Sequence, residues 1–207
     1  SYCTWNKEKV YTHKYSSFYD KYFLKYKNKN INILELGSHE GKGLASFYYY
    51  FPYSHLYGAN INPFQMKYKS NRITELFVDV ASEKILNNLA RHLNFDLDII
   101  IDDASHNLKD ILITLPIFFK KLKSNGIYVI EDINQYDVFK ELNPYVGELT
   151  PKEILLKIKK QEKFQSSFIN NTDKDFLINS IRDVHFETGS MVVKSKNISD
   201  IAFIEKK

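Results

Sequence analysis

Short apolar runs alternate with amphipathic stretches along most of the chain. Ile31–Leu36, His55–Ala59, Leu76–Val80, Leu97–Ile101 and Ile127–Ile130 are compact apolar runs of strand length. Leu97–Ile101 is nearly all apolar, as a strand buried on both faces should be. Helical patterns lie between them. Lys42–Phe51 is closed by Pro52. A second helix begins at an N-cap, Ser82, has Glu83 just inside its start, and runs to about His92. A third, Leu108–Leu122, carries Pro116, which predicts a kink, and stops at Asn125-Gly126. Such alternation implies right-handed crossovers and a parallel sheet.

The two ends read differently. Tyr11–Tyr26 places Tyr15, Phe18, Tyr19, Tyr22, Phe23 and Tyr26 at helical spacing, predicting an amphipathic helix packed on the body. Residues 1–30 are therefore read as a helical lead-in and residues 31–207 as one domain. Near the other end, Pro151–Lys163 is a lysine-rich helix. Asp183–Glu187 and Ser190–Lys194 bracket Thr188-Gly189 as a hairpin, and Ile201–Glu205 reads as one more strand. The expected fold is α/β: a mostly parallel seven-stranded sheet with a C-terminal antiparallel hairpin, the Rossmann-like class I methyltransferase topology.

Composition narrows the class. The chain has 207 residues, 43% hydrophobic and 26% charged, which suits one globular core and excludes disorder. No apolar run reaches the roughly 20 residues of a membrane helix, and the start is not signal-like, so a soluble, cytoplasmic protein is expected. Cys3, the only cysteine, excludes an internal disulfide and a cysteine-rich zinc site. The net charge is +4. Much of it lies in Lys7, Lys9, Lys14, Lys21, Lys25, Lys27 and Lys29, against Glu8 and Asp20. A solvated helix face is favoured over an anion-binding surface.

The first strand ends at Glu35-Leu36, and Gly37, Gly41 and Gly43 follow within seven residues. In open α/β sheets, ligands bind beyond the carboxyl ends of the strands. Glycine there permits positive φ and close backbone approach. An ordinary tight turn is the simpler reading, and three glycines in that place argue against it. The order G-x-x-x-G-x-G departs from the G-x-G-x-x-G of nicotinamide enzymes. S-adenosylmethionine is the expected cofactor, with Glu35, Gly37, Ser38, Gly41, Asn60, Asp79 and Asp102 around it. Asn60 sits where a ribose usually meets a carboxylate, and can still hydrogen-bond a hydroxyl. Asp79 either faces the adenine or is a polar residue flanking a helix.

The fourth strand runs into Asp102-Asp103-Ala104-Ser105-His106, and the fifth into Glu131-Asp132. Both ends lie on one rim, so carboxylates from two strands converge there. Oxygen-rich clusters suit Mg²⁺, and a nearby histidine suits general-base work. Alternatively, Asp102, Asp103, Ser105 or Asn107 caps the next helix.

These residues carry a family resemblance. Asp98–His106 and Gly126–Asp132 resemble the I-D-D-G-S-H and G-L-Y-V-I-E-D motifs of the metal-dependent macrolide-sugar (mycinamicin-type) O-methyltransferases, relatives of the cephalosporin-hydroxylase-like proteins. Thr12–Tyr15 with Phe18–Phe23 is similar to that family's lead-in helix, and Phe77–Asp79 to its third-strand motif. The resemblance implies that Asp103 and Asp132 hold Mg²⁺, that His106 is the base with Asp103 also catalytic, and that Glu35, Gly37 and Asp79 belong to the cofactor pocket. Ala104 replaces a glycine and Asn60 replaces the ribose acid. A further metal ligand is not evident, with Glu40 the only candidate.

The expected function is O-methylation of a hydroxyl on a sugar or sugar-containing small molecule, nucleotide-linked sugars for capsule or lipopolysaccharide included. Gln135–Leu149, with Tyr136, Phe139 and Tyr145, is the expected acceptor wall, or else closes the core. The expected partners are a small-molecule sugar substrate and further copies of the chain, as a dimer or tetramer, with no nucleic acid and no membrane. An RNA methyltransferase or a non-methylating, oxygenase-like relative are the competing classes.

Overall fold

Alternation of apolar residues in the central strands decides the architecture. Strands β1 (Asn32–Leu36), β2 (His55–Asn60), β3 (Ile73–Phe77), β4 (Leu97–Asp102) and β5 (Leu122–Ile130) form a parallel array. Ile99 and Ile101 of β4 enter one core and Ile100 the other; Ile127 and Val129 of β5 likewise oppose Tyr128 and Ile130. Burial on both faces requires helices on both faces. α1 (Ser16–Phe23) and α2 (Lys42–Tyr50) cover one face. α3 (Glu83–His92), α4 (Leu108–Lys121), α5 (Pro151–Lys159) and α6 (Asn171–Ser180) cover the other. This computed structural model describes residues 13–207. Cys3, Lys7, Lys9 and the Tyr11–Thr12 start of the expected lead-in helix lie outside them.

The last strands complete the sheet. These are β6 (Ile181–Thr188), the short β7 (Val192–Val193) and β8 (Lys196–Asn197), and β9 (Asp200–Lys206). The order is β3-β2-β1-β4-β5-β9-β6, with β9 antiparallel to both neighbours. The expected seven-stranded, mostly parallel sheet is present.

Several expected boundaries differ. β6 pairs with β9, not with Ser190–Lys194. Ile201, Ala202, Phe203 and Ile204 are all buried, and burying that run outweighs the small apolar gain of Met191–Val193. The segment between β6 and β9 instead makes its own hairpin, turning through Lys194 and Ser195 at positive φ. β3 lies earlier than Leu76–Val80, because it is an edge strand that tolerates Thr74 and Glu75. Val78 is buried beyond its end, which explains the apolar run. α4 stops at Lys121, and Asn125-Gly126 falls inside β5.

α1 seats the lead-in on the sheet through aromatic rings. Tyr19 packs edge-on against Phe47 and Phe203, and Tyr22 stacks on Phe203 at 4.1 Å. Lys21 of α1 pairs with Glu187 at 2.6 Å, and Lys25 just beyond it lies 3.9 Å from Glu205. No helix among the described residues is long and apolar enough to cross a membrane.

α5 begins with a complete capping box: Thr150 Oγ1 accepts from the Glu153 amide, and Glu153 accepts from the Thr150 amide. Thr150→Ala is expected to cost about 1 kcal/mol. Urea denaturation checks this, with a lower midpoint and an unchanged slope.

Candidate active site

The parallel strands deliver their carboxyl ends to one rim. β1 leaves the sheet at Leu36, and Gly37 turns the chain at φ +85°. Its amide donates to Ala59 O at 2.8 Å, tying the turn to the end of β2. A Cβ at Gly37 would run into the Asp103 carbonyl and the Ala104 Cα, so the glycine lets two strand ends approach. Gly41, at φ +83°, opens α2.

Beyond this turn lies a cavity of about 370 Å³. One wall is Gly37 and His39 from the first turn, with Asn60 and Ile61 after β2. The other is Val78–Ala81 after β3, with Asp103, Ala104, Ser105 and Asp110 after β4. Its size falls within the range of roughly 300–1,000 Å³ for small-molecule sites. Asn60 donates its side-chain amide to Asn62 O and Gln65 Oε1, both at 3.2 Å. Its carbonyl oxygen is thereby oriented as a neutral acceptor for a hydroxyl. Asp79 accepts from the Ala81 amide at 3.0 Å and faces the cavity.

Asp103 lines this cavity and also belongs to a cluster with His106 and Asp132. One donor atom from each lies within 4.8 Å of the others. His106 Nε2 is 3.7 Å from Asp103 Oδ1. His39, His106 and Asp132 all adopt positive φ, at 44°, 53° and 52°. Left-handed backbone at non-glycine residues costs about 1–2 kcal/mol each, and such outliers cluster at functional sites.

Asp132 is buried at the start of the loop after β5. Burial pushes its carboxyl up, but the hydrogen bond and charge of His13, the charge of His106 and a hydrogen bond from Tyr15 outweigh this. The carboxyl is held below its ordinary value. Glu131 beside it is also buried and accepts from Tyr19.

Asp102 stands apart. Its carboxylate turns into the protein and accepts from Tyr128 at 3.2 Å, and it does not line the cavity. Burial pushes it up to about 7, against the lowering effects of Tyr128 and His106. The folded state thus holds this proton more tightly than the unfolded chain. The associated stability is full below about pH 4 and is lost as pH rises towards 7. Asp102→Asn, compared with wild type by urea denaturation in chelator, is expected to gain relative stability between about pH 5 and about pH 8.

Other expected cofactor residues sit behind the cavity. Glu35 is buried against Gly43, where a Cβ would meet its carboxylate. Ser38 is buried near Gly58 and lines no part of the cavity. The cap of α4 falls to Asn107, whose side chain accepts from the Lys109 amide at 3.0 Å, leaving Asp103 on the rim. Glu40 pairs with Lys67 and Lys42 outside the acid–histidine cluster. In the expected acceptor wall, Tyr136 is buried in the core, and Tyr145 packs edge-on against Phe168 at 4.7 Å. His39, Ile61 and Asp110 are cavity residues that sequence reading did not single out.

The residues present fit both implied groups. Asn60 and Asp79 give the cavity polar groups suited to a nucleoside, and Gly37 forms part of its wall without a side chain. Two carboxylates and an imidazole supply donors for a hard divalent cation with a base at hand.

No protein-family model matches the chain. Over 130 residues it is 28% identical to mycinamicin VI 2''-O-methyltransferase of Micromonospora griseorubida, covering 59% of this chain and 32% of that protein. Over 128 residues it is 29% identical to demethylmacrocin O-methyltransferase of Streptomyces fradiae, covering 58% and 32%. The chain spans about a third of the length of these curated relatives. In structure it is similar to a methyltransferase of the mycinamycin pathway crystallised with Mg and SAH. The TM-score is 0.71 at 22% identity, over 95% of this chain and 50% of that one.

Proposed function

We propose that this relative of the macrolide-sugar O-methyltransferases moves a methyl group from S-adenosylmethionine to a hydroxyl of a sugar or sugar-containing small molecule. The observation that carries this reading is the double place of Asp103, which lines the nucleoside-sized cavity and belongs to the acid–histidine cluster. A donor in the cavity and an acceptor on the cluster would therefore meet at one residue. When bound, S-adenosylmethionine supplies an electrophilic methyl group, and Mg²⁺ lowers the cost of negative charge on a hydroxyl oxygen.

The chain's own residues supply the rest. Asn60 and Asp79 orient the nucleoside, and the turn at Gly37 brings it against Asp103. Asp103 and Asp132 would hold the cation, and His106 takes the hydroxyl proton at Nε2. Fixing donor and acceptor in line can contribute roughly 7–11 kcal/mol in favourable cases. A sugar acceptor, nucleotide-linked ones included, would lie on the side of Asp103 and Asp132 that carries His106.

The test offers labelled S-adenosylmethionine to a panel of sugar-containing acceptors, with Mg²⁺ or with chelator. One acceptor is expected to gain a single methyl group, and only with the metal. Transfer at the same rate in chelator removes the metal from this reading.

A further inference from the structure

Asp132 and Glu131 are gripped from the far end of the chain. The Tyr15 hydroxyl donates to Asp132 Oδ1 and the Tyr19 hydroxyl to Glu131 Oε1, across 117 and 112 residues of sequence. His13 Nδ1 lies 3.1 Å from Asp132 Oδ1, and Gln135 Nε2 donates to Asp132 Oδ2 at 3.0 Å. A carboxylate offers about four lone-pair sites. Tyr15 and Gln135 take one on each oxygen, and the His13 ring lies against Oδ1, which restricts the directions left for a further ligand.

The gripping residues are themselves held. Tyr15 and Tyr19 are fully buried, and Tyr19 is wedged by Phe23, Phe47 and Phe203. The His13 carbonyl accepts from the Ser190 amide at 3.0 Å, and Gly189 abuts it so closely that a Cβ there would strike it. The β6–β9 connection therefore clamps the lead-in segment onto the rim.

We propose that Tyr15 and His13 directly, and Tyr19 by anchoring the adjacent Glu131, are positioning residues that hold the Asp132 carboxylate in the orientation a divalent cation requires. The proposal rests on the metal-assisted reading above. Simple satisfaction of buried carboxylates would need the same hydrogen bonds for folding alone, so the two roles separate by what the hydroxyls support. Groups that orient metal ligands typically contribute 10–100-fold to metal affinity.

The test measures Mn²⁺ affinity calorimetrically in wild type, Tyr15→Phe, Tyr19→Phe and Tyr22→Phe. Each phenylalanine keeps its ring and loses only a hydroxyl. Tyr22 is the control, since its hydroxyl donates to Glu187, away from the cluster, at 2.8 Å. Tyr15→Phe and Tyr19→Phe are expected to weaken Mn²⁺ binding by about 10–100-fold. Both variants are expected to stay folded in chelator, with midpoints lowered by the loss of one hydrogen bond to a buried carboxylate, and to keep wild-type S-adenosylhomocysteine affinity. Tyr22→Phe is expected to match wild type in both affinities. Wild-type Mn²⁺ affinity in both variants overturns the proposal and leaves the metal-assisted reading standing. So does a variant unfolded in chelator, which assigns its hydroxyl to stability. A wild-type protein that binds no Mn²⁺ overturns both.

Discussion

His106→Ala is expected to lower turnover by about 10²–10⁴-fold, the usual contribution of a positioned base, while S-adenosylhomocysteine still binds. The loop after β4 sets this up. His106 adopts φ +53° and its Nε2 lies 3.7 Å from Asp103 Oδ1. It lines no part of the cavity, so its loss removes no cofactor contact. The cluster geometry also permits His106 to bind the cation directly. Mn²⁺ titration of the variant separates the two roles. A base leaves Mn²⁺ affinity intact, whereas a ligand takes it away together with activity. Wild-type turnover in His106→Ala removes both roles. Asp103→Ala is expected to lose turnover and Mn²⁺ affinity together, because it takes one of the two carboxylates from the cluster.

Gly37→Ala should damage fold and site at once. At φ +85° an L side chain is strained whatever the space around it. Here the space is also filled, because the new Cβ meets the Asp103 carbonyl and the Ala104 Cα, backbone atoms that cannot swing aside. The backbone term is about 1–2 kcal/mol and overpacking adds about 1–3. A loss of about 2–5 kcal/mol is expected in urea denaturation. Any relief by movement carries Asp103 away from His106 and Asp132, so cofactor and Mn²⁺ affinity should fall as well. Gly147→Ala is the matched control: its φ is +82° but nothing lies within 4 Å of the added Cβ. Only the backbone term should appear there. Equal losses at the two glycines would show that the approach of β1 to β4 is not what Gly37 serves.

The parts of the molecule legible in its sequence are those written in local pattern. β1, β2 and β4 are apolar runs ended by glycine, asparagine or paired acids, and the same punctuation marks the rim. The Asp102-Asp103 pair shows where local pattern stops. Both acids follow one apolar run, yet the alternation of β4 turns Asp102 towards Tyr128 and leaves Asp103 on the cavity. Telling them apart needs the register of Leu36 against Asp102. α6 was not legible, because Leu177 is its one buried apolar residue and its polar residues carry no helical stripe. The partner of β6 was misread because pairing is decided by burial of the whole β9 run, beyond any local window. In the lead-in, Tyr15 and Tyr19 were visible as a packing stripe. Where their hydroxyls point depends on a strand end more than a hundred residues away.

One rim is expected to hold both an S-adenosylmethionine cavity and a divalent metal, joined at Asp103. A crystal grown with S-adenosylhomocysteine and Mn²⁺, with data collected at the manganese edge, measures this most directly. The nucleoside is expected between Asn60 and Asp79 against Gly37, with one anomalous peak between Asp103 and Asp132. A cofactor outside this cavity, or a manganese peak bound away from both carboxylates, would contradict it.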